Sequence, residues 1–227
     1  MNINISPGKK LENRAEFTVD GIDSSFANLY RRYFMSMVPV LAIDSVVFYD
    51  NNGPVWDEYV AHRLGLLPVI TPNKLSKNAE FVLTLDAEGP RQVMASDIKS
   101  SDEEIKVAKD SIVIITLGEK QKLRFEAKVI LGIGRKHAKF QAGLAGYEIV
   151  NENKMNFFVE TFYQMSPSEL VRRGCDKILE DLEDIENAFS KKKKDKEDKE
   201  EDNEEGKKEG KKDKAESIEK EKKEKKE

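Results

Sequence analysis

The sequence predicts an α+β fold in which a domain made of a sheet and two long helices is interrupted by a β-rich insert domain. Strand-like alternation occurs near both ends of the folded part, and an amphipathic helix follows each of these segments. Between them, period-2 alternation is broken by Gly, Pro, Ser and Asp. Because the two helices need each other and a sheet to bury their apolar faces, we assign residues 1–45 and 150–190 to one discontinuous domain and residues 46–149 to the insert.

The C-terminal residues 191–227 are set apart by their composition. They comprise 16 Lys and 15 Asp or Glu, and the other six residues include a single Ile. A segment with almost no apolar surface cannot offset its conformational entropy by burial, and Gly206 and Gly210 disfavour a long helix. We therefore predict that the folded part is followed by a disordered charged tail or a transient, salt-bridged helix.

Charge and cysteine content exclude several classes of protein. The tail carries one net positive charge, so residues 1–190 carry about −5, against −4 for the whole chain. A protein that binds nucleic acid by itself usually has a basic balance or a continuous basic stripe, so direct, specific DNA binding is not expected. The single Cys175 and the lack of an apolar N-terminal run predict a soluble, cytoplasmic protein without disulfides.

The N-terminal region is predicted to form a hairpin followed by a helix. Residues 1–22 alternate as strands do, and Ser6-Pro7-Gly8 suits the turn between them. Asp23 or Ser24 can cap the helix, and Pro39 ends it. Its apolar stripe comprises Phe26, Leu29, Tyr30, Tyr33, Phe34 and Met37, and its opposite face comprises Asn28, Arg31, Arg32 and Met35.

The middle of the chain is predicted to be mostly β. A strand over residues 40–49 is followed by a short helix over residues 55–64, with Gly65 at the position after the helix. Further strands are predicted from period-2 alternation at residues 81–85, 111–117 and 123–131.

A last strand, residues 156–164, leads into a long helix that runs to about Phe189. The helix begins at Ser166-Pro167-Ser168-Glu169, a capping box with Pro at its first helical position. Its apolar residues cover about half of its circumference, which is wider than the ~100° stripe that packs on the helix's own domain. The excess predicts a second partner for residues Leu170, Val171, Cys175, Ile178, Leu179, Leu182, Ile185 and Phe189.

The sequence contains no strong catalytic or metal-binding motif. His62, His137 and Cys175 lie far apart and lack the spacing of a metal site. Glu58 and His62 are four residues apart on one helix, which fits either an acid–base pair or, more commonly, a surface pair. Gly132-Ile133-Gly134 lacks the other residues of a phosphate-binding loop, so we interpret it as a turn.

Two basic clusters are open to more than one interpretation. The pair Arg31-Arg32 fits a solvated helix face as well as a partner contact. The second cluster fits contact with protein or nucleic acid, or a solvated loop, and the acidic balance of the folded part favours protein. It comprises Arg135, Lys136, His137 and Lys139.

The segment from Phe26 to Pro68 resembles the signature of the alpha-like subunits of RNA polymerase. In that family N-x-x-R-R precedes V-P-x-x-A-I-D and then D-E-x-x-A-H-R-L-G-L-x-P. The matching residues are Asn28, Arg31, Arg32, Val38, Pro39, Ala42, Ile43, Asp44, Asp57, Glu58, Ala61, His62, Arg63, Leu64, Gly65, Leu66 and Pro68.

Two later segments extend the resemblance over nearly all of residues 1–190. GIGRKHAKFQAGLAGYEI, from Gly132, resembles the family's glycine-basic loop, and FFVETFYQMSPSELVRRGCDKIL resembles its final strand and helix. The H-A-K in the first segment is more similar to the archaeal D-type members of the family and their eukaryotic counterparts than to bacterial alpha.

The resemblance implies a non-catalytic subunit of DNA-directed RNA polymerase, the nucleotidyltransferase complex of transcription. It implies that the discontinuous domain is a dimerisation domain that pairs with the smaller alpha-like subunit L. That heterodimer, joined by small subunits N and P, would be the assembly platform for the two large catalytic subunits.

The predicted contact residues fall into two sets, and no catalytic residue is predicted. The first set serves helix packing and the dimer interface: Phe26, Leu29, Tyr30, Tyr33, Phe34, Leu170, Cys175, Ile178, Leu182 and Ile185. By the resemblance, the second set contacts the large and small subunits: Arg31, Arg32, Asp57, Glu58, His62, Arg63, Arg135, Lys136, His137 and Lys139.

The chain departs from the family in its expected cofactor content. Many archaeal relatives carry a cysteine-rich insertion that holds an iron–sulfur cluster, whereas the corresponding segment, residues 146–156, is short and contains no cysteine. We therefore expect no cofactor. Two rival functions remain: an independent nucleic-acid-binding protein that uses the two basic clusters, and an enzyme that uses Glu58 with His62.

Overall fold

The computed structural model describes residues 2–6, 12–76 and 79–190 of the chain. Two of the three residues of the predicted turn at residues 6–8, and all of the predicted charged tail, lie outside these ranges. The described elements are, in chain order, β1 (Asn2–Ser6), β2 (Arg14–Asp20), α1 (Ser24–Ser36), β3 (Val40–Asn51), α2 (Asp57–Gly65), β4 (Glu80–Glu88), β5 (Arg91–Met94), β6 (Lys99–Ser100), β7 (Val113–Leu117), β8 (Lys122–Gly132), β9 (Gly143–Asn151), β10 (Lys154–Thr161) and α3 (residues 167–190).

The fold class is mixed α and β and rich in sheet, in agreement with the prediction. Two four-stranded antiparallel sheets, of order β1-β2-β10-β9 and β3-β8-β4-β6, account for most strands, and β5 pairs with β7 in a two-stranded ribbon. Within the described ranges, no helix combines the length and the apolar content that a bilayer crossing requires.

The first sheet is built around β10, whose alternate side chains face α1. Phe157 of β10 lies opposite Phe17 of β2 and Tyr147 of β9, with ring centroids 5.3 and 5.6 Å away. Met155 and Phe157 are buried together with Ala27 of α1 in one hydrophobic cluster. The period-2 pattern of this strand therefore supplies part of the apolar face of the sheet on which α1 packs.

The second sheet follows the predicted period 2 closely along β8. Leu123, Phe125, Ala127 and Val129 are buried, and the residues between them face solvent. Val60 and Leu64 of α2 pack on the buried face. The helix begins two residues later than the sequence predicted, and Gly65 is its last residue instead of the residue after it.

The strand β3 contributes to two cores because successive side chains point to opposite faces. Leu41 and Ile43 belong to the core of the second sheet. Val40 and Ala42 belong to a second core, which we call the helix-side core. It comprises Phe34, Val38, Val40, Ala42, Phe140, Ala142, Ala145, Val159 and Leu170.

The predicted domain boundary between residues 149 and 150 falls inside β9. This strand pairs with β10 over the register Gly143↔Thr161 to Ile149↔Met155, so it is part of the first sheet. The chain divides into two compact units, Met1–Ile178 and Leu179–Glu227, and both sheets belong to the first unit. The division into a dimerisation domain and an insert domain therefore stays a prediction.

Candidate subunit-contact surfaces

The start of α1 is fixed by Asp23, one of the two predicted caps. Its Oδ1 accepts hydrogen bonds from the backbone N–H groups of Ser25 and Phe26 at 2.9 and 3.0 Å. These bonds satisfy two of the donors that the first turn of any helix leaves without intrahelical partners.

The apolar stripe of α1 is divided between the chain's own core and its surface. Phe34 is buried and Tyr30 packs beside it, with ring centroids 6.1 Å apart. Phe26 is 55% exposed, and Leu29, Tyr33 and Met37 are half-buried. Met35, which the sequence placed on the solvent face, instead packs against the helix-side core. Within the described ranges, the chain therefore covers only one edge of the predicted stripe.

Gly174 of α3 lies directly against Phe34 of α1. A Cβ atom at Gly174 would be 2.3 Å from Cδ1 of that ring, so the two elements meet where one has no side chain. Leu170 is fully buried one turn earlier, and Ile178 is buried one turn later. Cys175 is half-buried, and this burial raises the pKa of its thiol. A thiol with a raised pKa is a poor nucleophile, so a packing role fits Cys175.

The first turn of α3 is held by an ion-pair network around Glu169. Its carboxylate accepts hydrogen bonds from Arg172 at 2.7 and 3.0 Å and from Arg173 at 2.7 Å. These bonds lower the pKa of Glu169 to about 2, with Arg172 the largest cause. Arg173 also donates to the carbonyl of Thr71 at 3.2 Å, which ties α3 to the loop before β4.

The predicted capping box at the start of α3 is only half formed. Ser166 Oγ accepts a hydrogen bond from the backbone N–H of Glu169 at 3.2 Å, as the motif requires. The carboxylate of Glu169, however, makes its bonds to the two arginines of the following turn.

Residues 179–190 of α3 carry apolar side chains that the described part of the chain leaves exposed. Leu179 is 59% exposed, Leu182 and Ile185 are each 56% exposed, and Phe189 is 70% exposed. Leu182 and Ile185 are two of the predicted interface residues, and their pairing with another chain stays a prediction.

The glycine-basic loop folds back on α1 and β3. The backbone N–H of Arg135 donates to the carbonyl of Ser36 at 2.9 Å, and a Cβ atom at Gly134 would lie 2.9 Å from the carbonyl oxygen of Met35. Lys139 Nζ lies 2.8 Å from Asp44 Oδ1, and this contact lowers the pKa of the Asp44 carboxyl. The loop is therefore anchored at both ends.

This folding brings together basic residues that are far apart in sequence. Arg32 of α1 and Arg135 of the loop line an open groove of about 440 Å³ along α1. Arg31 is not among the groove residues, although its guanidinium donates to Oδ1 of the groove residue Asn28 at 2.9 and 3.2 Å. Lys136 and His137 are exposed beyond the groove. The remaining groove residues are Ser25, Asn28, Leu29, Tyr33, Ser36 and Met37.

The predicted contact residues of α2 are exposed, and two of them have structural roles. Asp57 accepts a hydrogen bond from Asn51 Nδ2 at 2.7 Å, and Arg63 donates to the carbonyl of Val113 at 2.7 Å. Both sit at the helix ends where their charges are favourable to the helix dipole. Glu58 and His62 are exposed, and no hydrogen bond or ion pair joins them among the described residues, so the acid–base interpretation gains no support.

Sequence reasoning missed three exposed apolar residues around α2. Trp56 is 82% exposed, Tyr59 is 54% exposed and Leu66 is 56% exposed. Tyr59 lies on α2 next to the buried Val60, and Leu66 is the residue that follows the helix. The signal that could have identified them is their apolar character at positions just outside the buried ones of α2.

Metal and nucleophile chemistry receive no support from the described ranges. No group of three or more His, Cys, Asp or Glu side chains there is placed to hold a metal ion. The expectation that the chain binds no cofactor stays a prediction.

Comparison with protein families gives a direct match to the middle of the chain. Residues 42–147 match the family model described as the RNA polymerase Rpb3/RpoA insert domain. These residues include β3 to β8, which form the second sheet and the ribbon.

Comparison with individual proteins gives relatives with a common name. DNA-directed RNA polymerase subunit Rpo3 of Methanocaldococcus jannaschii is 42% identical over 157 residues, which are 69% of this chain and 80% of the relative. Rpo3 of Thermococcus kodakarensis is 41% identical over 154 residues, which are 63% of this chain and 60% of the relative. Rpo3 of Halobacterium salinarum is 41% identical over 137 residues, which are 60% of this chain and 55% of the relative.

The chain thus spans less than two thirds of the last two relatives and most of the first. The matches confirm the resemblance to alpha-like polymerase subunits at the level of the family. Because it covers 80% of a relative that is 42% identical to it, the chain belongs to the Rpo3 family of archaeal DNA-directed RNA polymerase subunits.

Proposed function

We propose that this chain is a non-catalytic assembly subunit of the polymerase that pairs with the smaller alpha-like subunit L. The pair, joined by subunits N and P, is the platform on which the two large catalytic subunits assemble. The observation that carries the proposal is the apolar surface that α1 and residues 179–190 each leave uncovered.

The exposed apolar side chains supply one part of the energy that a stable pair would need. Full burial of a large apolar side chain contributes roughly 1.5–3 kcal/mol, so a side chain that is about half exposed retains about 1 kcal/mol. Phe26, Leu182, Ile185 and Phe189 together retain on the order of 4 kcal/mol. Exposed apolar side chains, on either segment, are typical of surfaces that bind another protein, and obligate interfaces are the more apolar ones.

Contacts to the other subunits are assigned to the basic groove and to the exposed face of α2. Arg32 and Arg135 present two guanidinium groups on one side of α1, which suits a carboxylate of a protein partner. Trp56 and Tyr59 are aromatic residues of the kind that dominate protein interfaces. Both surfaces support a platform with several partners.

The rival proposal of an independent nucleic-acid-binding protein is less well supported. Arg32 and Arg135 line one groove, but Lys139 is engaged by Asp44 and Arg31 is engaged by Asn28, so the two clusters share two cations at most and form no long basic stripe. Binding through phosphates requires several cations along one surface.

The proposal is tested by co-expressing the full chain with subunits L, N and P and measuring the mass of the purified complex by light scattering. We expect a stable complex that contains one copy of this chain and one of L, and aggregation of the chain when it is expressed alone. A soluble monomer that does not bind L would contradict the proposal.

A further inference from the structure

The uncovered segment of α3, residues 179–190, has an extreme charge pattern. Five of its twelve residues are Asp or Glu, and none is Lys or Arg. The stripe is formed by Leu179, Leu182, Ile185 and Phe189. At 100° per residue, Glu183 lies about 40° beyond Leu179, and Glu186 lies about 40° from Leu182 toward the same side. Asp184 lies on the opposite face of the helix. We call the stripe and its bordering glutamates the acidic stripe.

We propose that the acidic stripe docks against an amphipathic helix of a different chain, whose apolar side chains are bordered by Lys or Arg. The proposal rests on the proposed function, because it specifies the chemistry of the partner that covers this part of α3. Two properties of the stripe select this occupant: its apolar centre requires an apolar partner, and its acidic border requires a cationic one.

A second copy of the chain does not meet the second requirement. Pairing two acidic stripes antiparallel would place the glutamates of one helix beside those of the other. Parallel pairing would place them beside Asp181, which lies about 40° beyond Ile185 on the other side of the stripe. Like charges at the border of a helix pair are destabilising and are used to prevent self-association. The charge pattern thus favours a heterodimer over a homodimer through the same surface.

The chain's own residues 191–227 do not meet the first requirement. They offer 16 Lys, but their apolar content includes only one Ile and one Ala. Such a segment neutralises acidic side chains without covering Leu182, Ile185 and Phe189. An apolar and basic surface of another chain satisfies both requirements.

The test is a competition for limiting, tagged subunit L from the same organism. Untagged full-length wild-type chain is co-expressed with one full-length variant, and the two forms captured with L are quantified by mass spectrometry. The variant Glu183→Lys/Glu186→Lys reverses the border and leaves the apolar side chains unchanged. The control Asp184→Lys/Asn187→Lys places the same two lysines, three residues apart, on the opposite face of the helix.

We expect the border variant to be captured on the order of tenfold less than wild type at low salt, and the control about equally with wild type. The deficit should shrink in about 0.5 M salt, because bordering charges are screened. Equal capture of the border variant would overturn the inference. The border would then be covered by a different occupant, such as a second copy of the chain or residues 191–227.

One further variant separates this inference from the proposed function. The variant Leu182→Glu/Ile185→Glu removes the apolar centre, so its equal capture would contradict the proposed function itself. If only this variant loses capture and the border variant does not, the pairing stands and the inference about charge fails.

Discussion

Replacing Gly174 with alanine sets two effects of known size against each other. Alanine in a helix interior is more favourable than glycine by about 1 kcal/mol. The added methyl group, however, would lie 2.3 Å from Cδ1 and 2.8 Å from Cε1 of Phe34, distances that real Cβ atoms do not show. Phe34 is only 2% exposed and stacks on Tyr30, so its ring cannot move into free space.

The steric effect should win over helix propensity at this position. Overpacking of a filled core costs about 1–3 kcal/mol, which exceeds the gain in propensity over most of its range. We therefore expect Gly174→Ala to lower the free energy of unfolding by about 1 kcal/mol. Urea unfolding followed by circular dichroism, on the proposed complex with L, measures the change.

Two controls identify the cause. Asn187 is exposed on the same helix, so the difference between Asn187→Ala and Asn187→Gly reports helix propensity without packing. Adding Phe34→Leu to Gly174→Ala should remove most of the cost of the alanine, because the smaller side chain makes room for it. An increase in stability for Gly174→Ala equal to that seen at Asn187 would refute the proposed contact.

An ion pair, a strand contact and an exposed aromatic residue each give a further prediction. Glu169 has a pKa of about 2 in the fold against 4.5 ordinarily, so its contribution is present above pH 4.5 and is lost as the pH falls toward 2. Glu169→Gln should therefore lower the free energy of unfolding, measured in urea, by about 1 kcal/mol at pH 7 and by progressively less at lower pH. An equal loss at pH 7 and pH 2 would contradict this. Gly143→Ala should lower the free energy of unfolding by about 2 kcal/mol or more, because its Cβ would lie 2.2 Å from the backbone oxygen of Glu160. Thermal unfolding measures this change, and an unchanged Tm would count against the register of β9 and β10. Trp56→Ser should change stability by less than about 0.5 kcal/mol but reduce co-purification of other polymerase subunits, and unchanged recovery would argue against the α2 surface.

Local signals predicted the helix starts because the interactions that fix them span only a few residues. Asp23 and Ser166 each accept a backbone hydrogen bond from within three residues, so side-chain type and spacing suffice. The ion pairs of Glu169 replaced half of the predicted capping box, because two arginines in the next turn offered its carboxylate stronger partners.

The sequence did not predict β9, whose reasons for being a strand lie elsewhere in the chain. Gly143 and Gly146 weaken the local preference for a strand. Their lack of side chains is required by β10, since a Cβ atom at Gly143 would meet the Glu160 backbone and one at Gly146 would meet the Phe158 ring at 2.5 Å. Contacts of this kind depend on pairing that no local window contains.

The predicted interface residues illustrate a second limit. Periodicity identified the apolar faces of α1 and α3, but it could not say how much of each face the chain covers itself. Phe34 and Leu170 are buried within the chain, whereas Phe26 and Leu182 remain exposed. That division depends on where the first sheet meets the helices, as the burial of Met35 against expectation shows.

Two mass measurements test whether another polypeptide covers the exposed apolar residues of this chain. The chain with Leu182→Glu/Ile185→Glu and the chain with Val82→Glu are each co-expressed with subunit L and sized by light scattering. Val82 is a matched control, since it is 41% exposed on the second sheet. We expect a one-to-one complex with L for the Val82→Glu chain and none for the double variant. A one-to-one complex of unchanged stability for the double variant would show that these side chains are not covered by L.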